Sequence, residues 1–143
     1  MTGLTSNLLL QTVLLATGAH PYDQAYQAME SDGKPLLVLV GADWCPACQS
    51  MKSSTMLRLQ RGGKLDGVAY AVVNSDRDSS LARKIMRGGS IPQLVLYEKT
   101  VTGWRRTQLT GGQSESQVEA FIARAVAASQ ARERSVAISV GAE

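Results

Sequence analysis

Apolar positions along the chain switch between a helical spacing and continuous short runs. In YDQAYQAMES, Tyr22, Ala25, Tyr26 and Met29 fall at i, i+3, i+4 and i+7, which predicts one face of a helix from Tyr22 to Ser31. Asp32-Gly33 ends that pattern and Lys34-Pro35 leads out of it. Leu36 to Val40 (LLVLV) is apolar with no alternation, the pattern of a strand buried on both faces. Gly41-Ala42-Asp43 breaks the run. A second helix is expected from Pro46, because a proline in the first turn removes an N–H that has no intrahelical partner. Its inward face is read as Cys48, Met51, Thr55 and Leu59, and Arg61-Gly62-Gly63 stops it.

Val68 to Val73 (VAYAVV) predicts a second strand. Asp78 is placed as the N-cap of a short helix carrying Leu81, Ile85 and Met86, closed by Gly88-Gly89. Ile91 to Tyr97 (IPQLVLY) predicts a third strand, with Pro92 at its start because proline cannot donate into a ladder. Thr102-Gly103 is a turn, and Trp104 to Leu109 returns as the hairpin partner. Ser114 and Gln117 form a capping box ahead of an apolar stripe of Val118, Phe121, Ile122, Ala125 and Val126. Beyond Ser129 the residues are small and polar, so 130–143 is expected to be a loosely held tail, with a short strand over Ser135 to Val140 as the alternative.

Strands alternating with helices predict an α/β fold: a central mixed β-sheet flanked by helices, parallel except for the final hairpin. In such sheets chemistry sits beyond the carboxyl ends of the strands. The sequence DWCPACQSMK, with both cysteines of the chain, directly follows the LLVLV strand.

The chain of 143 residues is long enough for one domain with a substantial core, assigned to 20–129. Its net charge of +3 is too small, and its basic residues (Arg77, Arg83, Lys84 and Arg87 apart from Arg105 and Arg106) too scattered, for a nucleic-acid surface. No apolar run reaches the roughly 20 residues of a membrane span, so no stable membrane insertion is expected. Leu8 to Ala16 (LLLQTVLLA), followed by Thr17, Gly18 and Ala19, is read as a signal-like segment, residues 1–19, implying export to the periplasm. Two features favour the alternative of a cytoplasmic protein with an N-terminal extension: no Lys or Arg precedes Lys34, and Gln11 interrupts the run.

Three kinds of chemistry fit Cys45 and Cys48. As a staple, a four-residue ring contributes only about 2 kcal/mol by loop entropy. As a metal clamp, a zinc site wants four ligands, and the only histidine is the distant His20, which leaves copper(I) on two thiolates. As a redox centre, Cys45 at a helix N-terminus would have its thiolate favoured by unpaired N–H groups and the helix dipole, with Cys48 one turn away to attack a mixed disulfide. The redox reading is preferred, since a C-x-x-C beside a strand–helix pattern signals it directly.

Four segments extend the argument. Ala42-Asp43-Trp44-Cys45-Pro46-Ala47-Cys48 is similar to A-x-W-C-x-x-C, and Asn74-Ser75-Asp76 to an N-x-D that follows the next strand. Ser90-Ile91-Pro92 is similar to an I-P whose proline is cis, and Gly111-Gly112 to a small-residue step before a last helix. Over Tyr22 to Ala128 the chain thus resembles the thioredoxin-like thiol–disulfide oxidoreductases. The resemblance implies Cys45 as the exposed nucleophile and Cys48 as the resolving thiol, the two forming the redox-active disulfide. It also implies a substrate groove bordered by Trp44, Pro46, Ile91 and Pro92. No organic cofactor would be needed. The partners would be protein thiols or disulfides and a redox partner protein, and the chain would be a monomer. A copper chaperone or a non-catalytic binding module on the same fold is the alternative. The sequence departs from thioredoxins proper in two places. Leu39 and Val72 stand where those proteins have a buried aspartate and its lysine partner, and Pro46-Ala47 replaces their Gly-Pro.

Overall fold

The structure, a computed structural model, describes residues 21–141. The run Leu8–Ala16, the export expectation built on it and His20 lie outside them. The elements in chain order are α1 (Tyr22–Asp32), β1 (Leu36–Gly41), α2 (Pro46–Ser50), a π-helical turn (Met51–Thr55) and α3 (Met56–Arg61). They continue as β2 (Ala69–Asn74), α4 (Ser79–Ile85), β3 (Gln93–Thr100), β4 (Gly103–Thr110) and α5 (Glu115–Val140).

The strands form one mixed sheet in the order β2-β1-β3-β4. β1 runs parallel to β2 and antiparallel to β3, and β3 pairs antiparallel with β4. The sheet is therefore less parallel than the strand–helix alternation suggests. The reason lies in the length of α4. Seven helical residues span about 10 Å, whereas a six-residue strand spans about 20 Å. The chain thus never returns to the far edge, and β3 starts at the end where β1 finishes, pairing Gln93 with Val40. That reversal brings Pro92 to the same end of the sheet as the cysteines.

β1 is buried along its whole length. Leu37 and Leu39 face one layer, with Met51, Met56, Leu59, Val118 and Ile122 from the helices. Leu36, Val38 and Val40 face the other, against Ala25 and Met29 of α1 and Ala82 and Ile85 of α4. Each such Leu or Val contributes about 1.5–3 kcal/mol by leaving water, so a strand filled from both sides is the firm base of the fold. The Ser114–Gln117 capping box forms as its sequence predicts.

Two expectations for the helices change. The face expected of Cys48, Met51, Thr55 and Leu59 breaks at the π turn, where the N–H of Met56 bonds the carbonyl of Met51. The extra residue in that turn rotates Met56 inward, where it is buried, and leaves Thr55 half-buried. The expected tail is also helical: α5 continues to Val140 and ends only at Gly141. The segment QARERSVAIS contains no Gly or Pro to break it and several strong helix formers, so the preceding turns propagate through it. Val136, Ile138 and Val140 are exposed there, so that stretch is held by the helix rather than by packing.

Candidate active site

The dithiol grows out of the end of β1. After Gly41 the chain turns, and Cys45 takes the N-cap position of α2 in an extended conformation, with Pro46 at the first helical residue. The carbonyl of Cys45 accepts the N–H of Gln49 at 3.1 Å. Its Sγ accepts the N–H of Cys48 at 3.2 Å. The two cysteines form a disulfide, with their Cα atoms 5.2 Å apart. Helical geometry is what brings the pair together, and the same geometry aims a backbone donor at Cys45 Sγ.

Cys45 is not the exposed residue that the resemblance implies. It is 6 % exposed, against 3 % for Cys48. Its side chain is turned toward Cys48, and Ala42 and Ile91 pack against the pair. The residues on either side of it, Trp44 and Pro46, are exposed. Trp44, at 70 % exposure, stands on the surface and not in the core.

A second loop holds the first. Trp44 Nε1 donates to Asp76 Oδ2 at 2.9 Å, and Arg77 forms an ion pair with Asp43, also at 2.9 Å. Asn74 Oδ1 accepts the N–H groups of Asp76 and Arg77, shaping the turn that presents both partners. The N-x-D segment is therefore the brace of the cysteine loop.

Pro92 sits immediately before β3 and is buried, and the Ile91–Pro92 peptide is cis. The strand-entry position read from spacing and the cis form implied by the resemblance are both present. The carbonyl of Pro92 accepts the N–H of Gly111 at 2.8 Å, joining the small-residue step before α5 to the same rim. The structure thus gathers Cys45, Cys48, Ile91 and Pro92, with Trp44 and Pro46 flanking them.

Behind Cys48 lies a cleft of about 370 Å³. Leu39 and Val72 form part of its wall, and Asp43, Lys52, Arg77 and Asp78 lie around it. Among the described residues no group of three or more His, Cys, Asp or Glu side chains is placed to hold a metal ion.

Two residues of the site escape a sequence reading. Gly41 looks like a simple strand end, yet a Cβ there would lie 2.8 Å from Cys48 Cβ and 3.0 Å from its Sγ. Only glycine lets Cys48 pack so closely on the strand. Gln93, fully buried, has no periodic signal at all; a polar residue inside an otherwise apolar run was the one available hint.

A dithiol at a helix N-terminus, beyond the carboxyl ends of the parallel pair β1 and β2 and packed by the residue that opens a cis-proline peptide, defines a protein of the thioredoxin class. A family model described as thioredoxin-like matches residues 19–99, more than half of the chain. The chain belongs to the thioredoxin-like family. No curated protein sequence matches it significantly. Among solved structures it is similar to a thioredoxin from Thermus thermophilus (21 % identity, TM-score 0.61), covering 75 % of this chain and 85 % of that one. It is similar to a thioredoxin of Fasciola hepatica (19 %, TM-score 0.56), covering 72 % and 91 %. It is also similar to oxidised mitochondrial thioredoxin 3 of Saccharomyces cerevisiae (15 %, TM-score 0.56), covering 75 % and 93 %. At these identities the likeness is one of fold.

Proposed function

We propose that the chain is a thiol–disulfide oxidoreductase that exchanges disulfides with protein cysteines through Cys45 and Cys48. The observation that carries this reading is the bonded pair itself, placed so that a backbone N–H points at Cys45 Sγ. In the reduced protein, that donor and the helix N-terminus favour the thiolate at Cys45. The thiolate attacks a substrate disulfide, one substrate sulfur leaves as a thiolate, and a mixed disulfide forms. Cys48, deprotonated, attacks Cys45 Sγ, releases the second substrate sulfur and closes the Cys45–Cys48 bond. Two electrons pass to the substrate, and a redox partner protein returns them by the reverse steps. The proton of Cys48 leaves through the cleft, where Leu39 and Val72 carry no acceptor and water or the cleft carboxylates Asp43 and Asp78 take it up. Trp44, Pro46, Ile91 and Pro92 border the groove in which a substrate strand lies.

Insulin reduction and thiol alkylation test the proposal. Cys45→Ser abolishes turnover, and Cys48→Ser accumulates a mixed disulfide. Alkylation of the reduced protein gives an apparent pKa for Cys45 below the free-cysteine value of about 8.5. Turnover unaffected by either substitution would overturn the reading.

A further inference from the structure

We infer that Gln93 is a positioning residue for substrate: its buried amide fixes the loop Arg87–Ser90 that forms the outer wall of the groove beside the disulfide. This rests on the oxidoreductase reading given above.

Gln93 opens β3 and is 0 % exposed. A buried primary amide costs stability unless its two N–H donors and its carbonyl are satisfied. Here every partner comes from one short loop. The Oε1 accepts the N–H of Arg87 at 3.2 Å, and Nε2 donates to the carbonyl of the same residue at 3.0 Å. Nε2 also donates to the carbonyl of Ser90 at 3.0 Å, with that of Gly88 further off at 3.4 Å. The side-chain amide thus pairs with the peptide groups of Arg87 much as a neighbouring strand would, and then closes the loop at Ser90.

The stretch has little other support: Gln108 Nε2 reaches the carbonyl of Arg87 only at 3.5 Å, the long limit of a hydrogen bond. Arg87–Ser90 lies between α4 and β3, its side chains are exposed, and Gly88 and Gly89 give it little stiffness. Gly88 adopts φ +80°, a conformation a side chain rarely takes. Ser90 runs directly into Ile91, which packs on Cys45 and Cys48, and into the cis peptide. The order of the groove wall therefore traces back chiefly to one amide. Gln93 does not contact the sulfurs, so its effect falls on docking an extended protein segment and not on the exchange chemistry.

The test compares the native chain with Gln93→Met, which keeps the side-chain volume and removes the amide, and with Gly88→Ala. The alanine variant strains the same loop from outside; its Cβ meets nothing within 4 Å, so the core is untouched. Two reactions are measured for each: reduction of insulin and reaction of the reduced dithiol with a small aromatic disulfide. In both variants KM for insulin rises about tenfold, the loss of one or two hydrogen bonds' worth of order. The kcat and the small-disulfide rate stay within about twofold of native, on the same scale. An unchanged KM, or an equal fall in both reactions, overturns the inference. If the native chain reduces the small disulfide but not insulin, the oxidoreductase reading on proteins fails instead. Amide hydrogen exchange then decides the latch alone: exchange at Arg87 that is as slow in Gln93→Met as in the native chain overturns it, and faster exchange sustains it.

Discussion

Leu39 of β1 and Val72 of β2 stand directly opposite each other in the parallel ladder, and both line the cleft behind Cys48. Related proteins proper to the thioredoxins place an acid and a lysine there. The register makes the two positions partners across the ladder. An acid alone at this depth would be an unpaired buried charge, costing about 3–5 kcal/mol. Leu39→Asp is therefore expected to lower stability by that amount, and adding Val72→Lys to recover part of it. Urea denaturation of the four proteins in a double-mutant cycle checks this. The expected coupling is favourable by about 1 kcal/mol or more. Zero coupling would mean that the two side chains do not meet across the cleft. Leu39→Asp also supplies an acceptor for the proton of Cys48, so release of the Cys48-dependent mixed disulfide should become faster at neutral pH.

The exposed brace makes a more modest prediction. Trp44 Nε1 and Asp76 are both at the surface, so their hydrogen bond is worth about 0.5–1.5 kcal/mol. Asp76→Ala should destabilise by no more than that, while loosening the cysteine loop enough to change the emission of Trp44. Fluorescence of the oxidised and reduced proteins in a Trp104→Phe background reads it. Identical spectra with and without Asp76 would show that the bond does not form in solution.

Much of this arrangement can be read from the chain because its signals are local. LLVLV predicts a doubly buried strand, and all of Leu36–Gly41 is buried. Ser114 and Gln117 lie within one helical turn, so their capping box needs no tertiary information. What stays hidden depends on distant parts of the chain meeting. The antiparallel sense of β3 follows from where a short α4 leaves the chain, not from any residue of β3. Gln93 reads as an interruption until Arg87 and Ser90 fold around its amide. The burial of Cys45 depends on Ile91, which lies far along the sequence. The helical continuation of α5 was hidden for the opposite reason: its residues favour a helix by propensity but show no apolar stripe, and the stripe is what a periodicity reading follows.

Tyr70 carries a pH dependence. It is buried in the core, its hydroxyl has no hydrogen-bond partner, and burial pushes its pKa well above the ordinary tyrosine value near 10. The folded state holds the proton that the unfolded chain releases first. Stability from this group is full below pH 10 and is lost progressively as pH rises beyond it. Tyr70→Phe should therefore flatten the alkaline fall in stability while leaving neutral-pH stability equal or slightly higher, since an unsatisfied buried hydroxyl is removed. Urea midpoints at about pH 8 and about pH 11, on either side of the tyrosine value, check both halves. Tyr22, whose pKa is also raised, chiefly by burial, leaves a smaller residual slope.

Gly41 gives the sharpest link between backbone and redox chemistry. A Cβ added there would meet Cys48 Cβ at 2.8 Å and Sγ at 3.0 Å, closer than such atoms can stand, so Cys48 or the end of β1 must move. Overpacking of this kind costs about 1–3 kcal/mol. The cost is unequal between the two redox states. The Cβ contact is common to both states, but in the reduced protein Cys48 Sγ is free to rotate away from the intruding methyl, whereas in the oxidised protein its bond to Cys45 fixes it. Gly41→Ala should therefore destabilise the oxidised form more, making the disulfide easier to reduce. With about 30 mV corresponding to 1.4 kcal/mol for a two-electron couple, a difference of that size raises the reduction potential by about 30 mV. Equilibration against glutathione measures the shift. A potential unchanged in a folded Gly41→Ala protein would mean that β1 yields to the methyl and that the strand, not the disulfide, absorbs the strain.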